Sequence, residues 1–145
     1  MTVEIRLLGP REGSALQSLA PEVFDHPVDP RLAAEFLAHP RHHLAVALDR
    51  GTVVGMASGV HYVHPDKRPQ LFINEVGVSP GHRGRGVGRR LVRALCDRGN
   101  ELGCTEAWVL TDPENAAARR MYAAAGGEES PPQVMVTFPL GGAAA

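Results

Sequence analysis

The stretch that most constrains the fold runs from Gln70 to Thr111. It opens on an apolar run, QLFINEVGV (70–78), and passes through SPGHRGRGVGRRL (79–91). Beyond it, Val87, Leu91, Leu95 and Leu102 recur near helical spacing, with Arg89, Arg90, Arg93 and Arg98 mostly between them. TEAWVLT (105–111) then reads as another strand. A strand, a crossover helix and a second strand imply a parallel pair with a right-handed connection. Between the first strand and the helix, the nine residues Arg83 to Leu91 hold three glycines and four arginines. Glycine permits positive φ and close approach of a ligand, so the turn's N–H groups can converge on one anion. The helix start adds unpaired N–H groups and a positive dipole end. Arg83, Arg85 and Arg89 add forked donors for phosphate. The ligand expected here is a pyrophosphate or another polyphosphate.

The rest of the chain supplies a frame for that unit. TVEIRLL (2–8) alternates as a half-buried strand and ends at Gly9-Pro10. Residues 13–20 and 31–38 are alanine- and leucine-rich and read as helices. HLAVALDRGTVVGMASGVHYV (43–63) reads as two strands joined at Asp49-Arg50-Gly51. With 70–78 these form an antiparallel meander. DPENAAARRMYAAAG (112–126) reads as a helix capped near Asp112 or Glu114-Asn115 and stopped by Gly126. QVMVTF (133–138) reads as a last strand, and GGAAA (141–145) as a frayed tail. The expectation is one domain over 1–140, of mixed α/β (α+β) class.

A formal net charge of −1 speaks against nucleic acid as a partner. No run approaches the roughly 18 apolar residues that span a bilayer, and no long apolar segment marks a leader. Cys96 and Cys104 are too few for a disulfide framework and read as reduced thiols of a cytoplasmic protein. The histidine clusters HPRHH (39–43) and HYVH (61–64) lack Cys or acid at ligand spacing, so no metal is expected. His61 or His64, following the third strand, could still line an acceptor cleft.

Motif spacing narrows the ligand. The Walker phosphate loop needs Lys-Ser or Lys-Thr after its last glycine, and the dinucleotide fingerprint needs Gly-x-Gly-x-x-Gly. Gly84-Arg-Gly86-Val-Gly88 fits neither. Arg83-Gly84-Arg85-Gly86-Val87-Gly88 fits Arg/Gln-x-x-Gly-x-Gly/Ala, and with the preceding VGVSP it resembles the coenzyme A pyrophosphate loop of the GCN5-related N-acetyltransferase (GNAT) family. NAAARRMYAAAGG (115–127) resembles the family's Asn-x-x-Ala-x-x-x-Tyr-x-x-x-Gly-Phe signature at Asn115, Ala118, Tyr122 and Gly126, with Gly127 in place of the aromatic residue. The resemblance covers nearly the whole chain. It implies a GNAT fold, with a mixed, mostly antiparallel sheet of six to seven strands flanked by about four helices. It also implies acetyl-CoA as cosubstrate and a possible homodimer.

The chemistry so implied is direct transfer of acetyl from a thioester to a primary amine of a small molecule. An alkylammonium must lose a proton before it attacks, and the leaving thiolate gains from a proton donor. By resemblance, Tyr122 is the donor and Glu75 the base or amine-binding acid. A carboxylate in an apolar strand is costly to bury unless used or paired, which adds weight to Glu75. Val76, Gly77 and Val78 are implied to offer backbone bonds to the pantetheine arm. Arg83, Gly84, Arg85, Gly86, Val87, Gly88 and Arg89 are implied to hold the pyrophosphate, and Asn115 to touch the coenzyme near Tyr122. Within the family the small aminoglycoside 3-N-acetyltransferases are most similar, and they imply Glu75 and Asp112 as acids facing a polycationic acceptor. Two alternatives remain open: a protein or peptide N-acetyltransferase, and a coenzyme-binding module without catalysis.

Overall fold

The computed structural model describes residues 2–142. Its elements are β1 (Glu4–Leu7), α1 (Pro30–Ala38), β2 (His42–Asp49), β3 (Thr52–His64), β4 (Lys67–Val78), α2 (Val87–Glu101), β5 (Ala107–Val109) and α3 (Ala116–Ala124). Short 3-10 turns lie at Gly13–Gln17 and Pro80–His82. Among the described residues the strands form one sheet in the order β1-β2-β3-β4-β5. The first four pair antiparallel, and β4 pairs β5 parallel across α2. The mixed sheet, the meander and the crossover are those expected from the sequence.

The β2–β3 hairpin turns where Arg50 (φ 53°) and Gly51 (φ 81°) both take left-handed backbone. That is the geometry of a two-residue turn matched to strand twist. β2 alternates by size. Ala45 and Ala47 join the cluster beneath α2, whereas Leu44, Val46 and Leu48 join the cluster beneath α1. Small residues on the α2 side let that helix sit close. A Cβ on Gly55 would come within 3.1 Å of Leu91 and 3.2 Å of Val87. Leu91 and Leu95 of α2 are fully buried there, each contributing about 2 kcal/mol by burial. Thus α2 is held firmly on the sheet, and its N-terminus is fixed at the end of β4.

Several expectations are corrected. The sheet has five strands among the described residues rather than six to seven, and three α-helices flank it rather than about four. The helix expected over 13–20 is reduced to the turn Gly13–Gln17. Tertiary pairing overrides propensity there: Ala20 N–H donates to Val53 O at 2.8 Å and Val53 N–H to Ser18 O at 2.8 Å. β5 is shorter than 105–111. Residues 133–138 form no strand and lie exposed, with no backbone partner among the described residues. Of the expected tail, residues 143–145 lie outside the described residues.

Helix boundaries follow capping chemistry. Asp29 accepts from Arg31 N–H at 2.8 Å ahead of Pro30 in the first turn of α1. Gly103 (φ 81°) and Gly126 (φ 101°) take left-handed backbone just past α2 and α3.

Candidate functional site

β4 and β5 run together only over Leu71–Ile73 and Ala107–Val109. Beyond the Ile73–Val109 pair, residues 74–78 of β4 have no strand on that side among the described residues. β4 is also irregular at this point: Ile73 faces Gly59 and Glu75 faces Ser58, leaving Asn74 as an extra residue. A bulge of this kind re-aims the strand. The outcome is a gap in the sheet along the side of Val76, Gly77 and Val78 that faces away from β3. One face of β4 is roofed there. A Cβ on Gly77 would lie 2.3 Å from Val23 O, so only glycine fits under the 20–28 loop.

The glycine–arginine turn closes the end of this gap. Gly84 (φ 75°) and Gly86 (φ 77°) both adopt left-handed backbone, and Gly86 is the N-cap of α2. Nothing lies within 4 Å of a Cβ built on Gly84, and only Arg89 approaches one on Gly86, at 3.8 Å. The concavity is therefore open, and the first N–H groups of α2, from Val87 to Arg89, have no intrahelical acceptor. A pyrophosphate fits this donor set without a cation. Val87 is buried and anchors the turn. Gly88 has a different role, since a Cβ built on it would lie 3.4 Å from the Met121 side chain of α3. Arg85 and Arg89 are exposed on the turn. Arg83 is partly committed: its Nε donates to Val78 O at 3.0 Å, and its guanidinium lies 3.9 Å from Glu22.

Three residues that were not singled out from the sequence set the start of this turn. The His82 Nε2 lies 2.9 Å from Asp49 Oδ2, and His82 Nδ1 lies 2.8 Å from Ser79 Oγ. A carboxylate only accepts, so in the neutral ring Nε2 carries the proton and Nδ1 accepts from the Ser79 hydroxyl. The constellation has the residue types of a hydrolytic triad, but Ser79 is 3% exposed and has no access to a substrate. It is a clamp, joining the β2–β3 turn to the loop after β4. The spacing Ser79–His82 is a local signal, but Asp49 lies 33 residues away from His82 and only the fold brings it there.

On the other side of the gap, Tyr122 of α3 is half-buried against the α2-side core. It lines a cavity of about 260 Å³ together with Ile73 and Val109, which stand where β4 and β5 part. Its hydroxyl has no hydrogen-bond partner among the described residues, and burial raises its pKa above the usual phenol value. The group therefore stays protonated at neutral pH and can serve as a donor.

Asn115 is the N-cap of α3, its Oδ1 accepting from Ala118 N–H at 3.0 Å. That assigns the cap to Asn115 rather than Asp112 or Glu114, and leaves its Nδ2 as a donor. Asp112 is exposed just before α3, with no side-chain partner among the described residues. Glu75 is exposed as well, so the reasoning from the cost of burying its carboxylate does not apply. Arg119 is structural: it grips Glu129 through two bonds of 2.8 and 2.7 Å and donates to Pro113 O at 2.8 Å.

The histidines lie elsewhere. His43 and His61 approach to 2.7 Å and stack, and His39 stacks on His42. Burial, helped by His61, Arg98 and His42, lowers the pKa of His43 to about 4. Among the described residues no three His, Cys, Asp or Glu side chains are grouped as metal ligands would be. No described helix is long and apolar enough to cross a membrane.

Known proteins are similar to this chain in sequence and fold. The family model for the GNAT acetyltransferases matches residues 13–126. The aminoglycoside N(6')-acetyltransferase type 1 of Salmonella typhimurium is 33% identical over 111 residues, covering 72% of this chain and 77% of its own length. The N-alpha-acetyltransferase RimI of Mycobacterium tuberculosis is 37% identical over 106 residues, covering 72% of this chain and 63% of its own. The crystal structure of AAC(6')-Iy with a bisubstrate analog of coenzyme A and acetylneamine superposes with a TM-score of 0.76 at 26% identity, covering 97% of this chain and 100% of that one. Motif, sheet gap and relatives agree: the chain belongs to the GNAT acetyltransferase family and is an N-acetyltransferase with acetyl-CoA as its donor.

Proposed function

We propose that the acceptor is a primary amine of an aminoglycoside. The observation that carries this reading is the 33% identity to an aminoglycoside N(6')-acetyltransferase across 72% of the chain. The exposed acids Glu75 and Asp112, at the end of β4 and after β5, are its physical support, because an acceptor with several ammonium groups is drawn to carboxylates. In this reading the loop from Arg83 to Arg89 holds the pyrophosphate, and the free edge of Val76-Gly77-Val78 bonds the pantetheine. Asn115 donates to the coenzyme. Glu75 takes the ammonium proton or binds the amine, and Tyr122 protonates the departing thiolate. Asp112 orients the acceptor. A symmetric dimer in the cytoplasm completes the reading.

The test is acetyl-CoA-dependent thiol release across aminoglycosides, diamino acids, polyamines and peptides bearing a free N-terminus. Rapid release with an aminoglycoside supports the proposal. Release confined to peptides moves the acceptor to a protein N-terminus, the reading suggested by the RimI relative. The sequence resemblance pointed to the 3-amine, whereas the two aminoglycoside relatives are named for the 6'-amine. NMR of the product distinguishes the two.

A further inference from the structure

The bulge at Asn74 decides which side of the sheet carries Glu75. Ahead of the bulge, Leu71 and Ile73 join the core beneath α2; beyond it, Val76 and Val78 do. The residues facing α2 therefore change from odd to even numbers across Asn74, as one extra residue in a two-residue alternation requires. Glu75 is thrown to the other side, level with Ser58 of β3. In a regular strand it would face α2. Gly77, next on that side, lies under Val23 of the 20–28 loop. The α1-side core takes in no residue of β4 or β5 among the described residues, so α1 does not cap this end of the sheet.

The same side carries an aromatic group. Phe72 pairs with Val60 and with Trp108, and Tyr62 pairs with Gln70. Val109 belongs to the α2-side core, which turns its neighbour Trp108 the other way. Trp108 rests on Phe72 with ring centroids 4.5 Å apart and an interplanar angle of 36°. Its indole N–H donates to the Tyr62 hydroxyl at 3.1 Å, and that hydroxyl donates to Gln70 Oε1 at 2.7 Å. Cross-strand aromatic pairs ordinarily stabilise a sheet. Here the polar edges are satisfied within the group, so the indole is locked in place while still 36% exposed. An aromatic face is negative; it attracts the C–H bonds of a sugar ring and, more strongly, an ammonium. The Val60–Phe72 and Ser58–Glu75 pairs are successive rows, about 7 Å apart along the strands. We propose that Tyr62, Phe72 and Trp108 form a platform for a sugar ring of the acceptor, with an ammonium group of that ring directed at Glu75. This rests on the aminoglycoside reading of the acceptor. It makes the three aromatic residues determinants of specificity for ring-borne amines. A linear polyamine satisfies Glu75 but has no ring face to lay on the indole.

Trp108 is the chain's only tryptophan, so its emission reports the platform directly and needs no variant. Titration of the full chain with neamine, an aminoglycoside fragment, is expected to change that emission saturably. Spermine, a linear polyamine of matched charge, is expected to leave it unchanged. In steady-state kinetics, Trp108→Leu is expected to raise the neamine KM by about tenfold, with the acetyl-CoA KM unchanged. A merely structural indole would not separate the two constants in this way. Thiol release with neamine but no change in emission overturns the platform and leaves the acceptor reading standing. A saturable change in emission without thiol release keeps the platform and overturns the acceptor reading. An equal response to spermine shows attraction by charge alone, and overturns the platform too.

Discussion

Tyr122 and Glu75 sit in opposite settings, and that decides how each is tested. Tyr122 is half-buried, which keeps its phenol protonated. Tyr122→Phe removes the donor and keeps the packing. Turnover is expected to fall by about tenfold or more, with coenzyme A affinity measured by calorimetry nearly unchanged. Glu75 is exposed, so Glu75→Gln leaves the fold intact. Its kcat is expected to drop by roughly a hundredfold if the carboxylate takes the proton. A loss confined to acceptor KM would make it an amine-binding group instead. At this scale the sequence was legible wherever residue type alone sets the chemistry. Gly84 and Gly86 adopt left-handed backbone because glycine does so at little cost, and Asn115 caps a helix because its side chain accepts from the backbone. The setting of Glu75 was not legible, since exposure depends on the bulge at Asn74.

Elements built on local patterning were equally legible. Alternation in β2 and the turn at Arg50-Gly51 identify the hairpin before any tertiary contact is known. The segment 13–20 is helix-forming in composition, yet its backbone bonds to Val53 instead, a partner no local window contains. The loop-to-helix element at Arg83–Val87 makes a sharper claim. Gly86→Ala forces a side chain into left-handed backbone at about 1–2 kcal/mol. That cost is expected to thin the population of the binding-ready loop and raise the acetyl-CoA KM by about tenfold, with kcat little changed. Steady-state kinetics with acetyl-CoA varied checks it.

For the whole molecule, His43 contributes to the pH dependence of stability from outside the site. His43 is 8% exposed, and its folded pKa of about 4 lies below the ordinary 6.5. Between those values the unfolded chain binds more protons than the folded one, so stability rises with pH across the window. It is fully present above about pH 6.5 and is lost as pH falls towards 4. Thermal melts at pH 7 and pH 5 are expected to differ less in His43→Gln than in the parent chain. Sheet size was the least legible property at this scale. QVMVTF has the pattern of a strand, but a strand exists only where it pairs with an edge, and it pairs with none among the described residues.

The chain of contacts from Asp49 through His82 to Ser79 has a consequence for how such a protein can vary. A tight hairpin turn is ordinarily a cheap place to lengthen a polypeptide, because its tip touches nothing. Here the turn's own carboxylate is tethered to the residue preceding the glycine–arginine loop. An added residue at Arg50 would swing Asp49 away from His82 and loosen a loop on a different pair of strands. The two segments are therefore coupled in length, and a stretch that looks like spare surface is tied to the glycine–arginine loop.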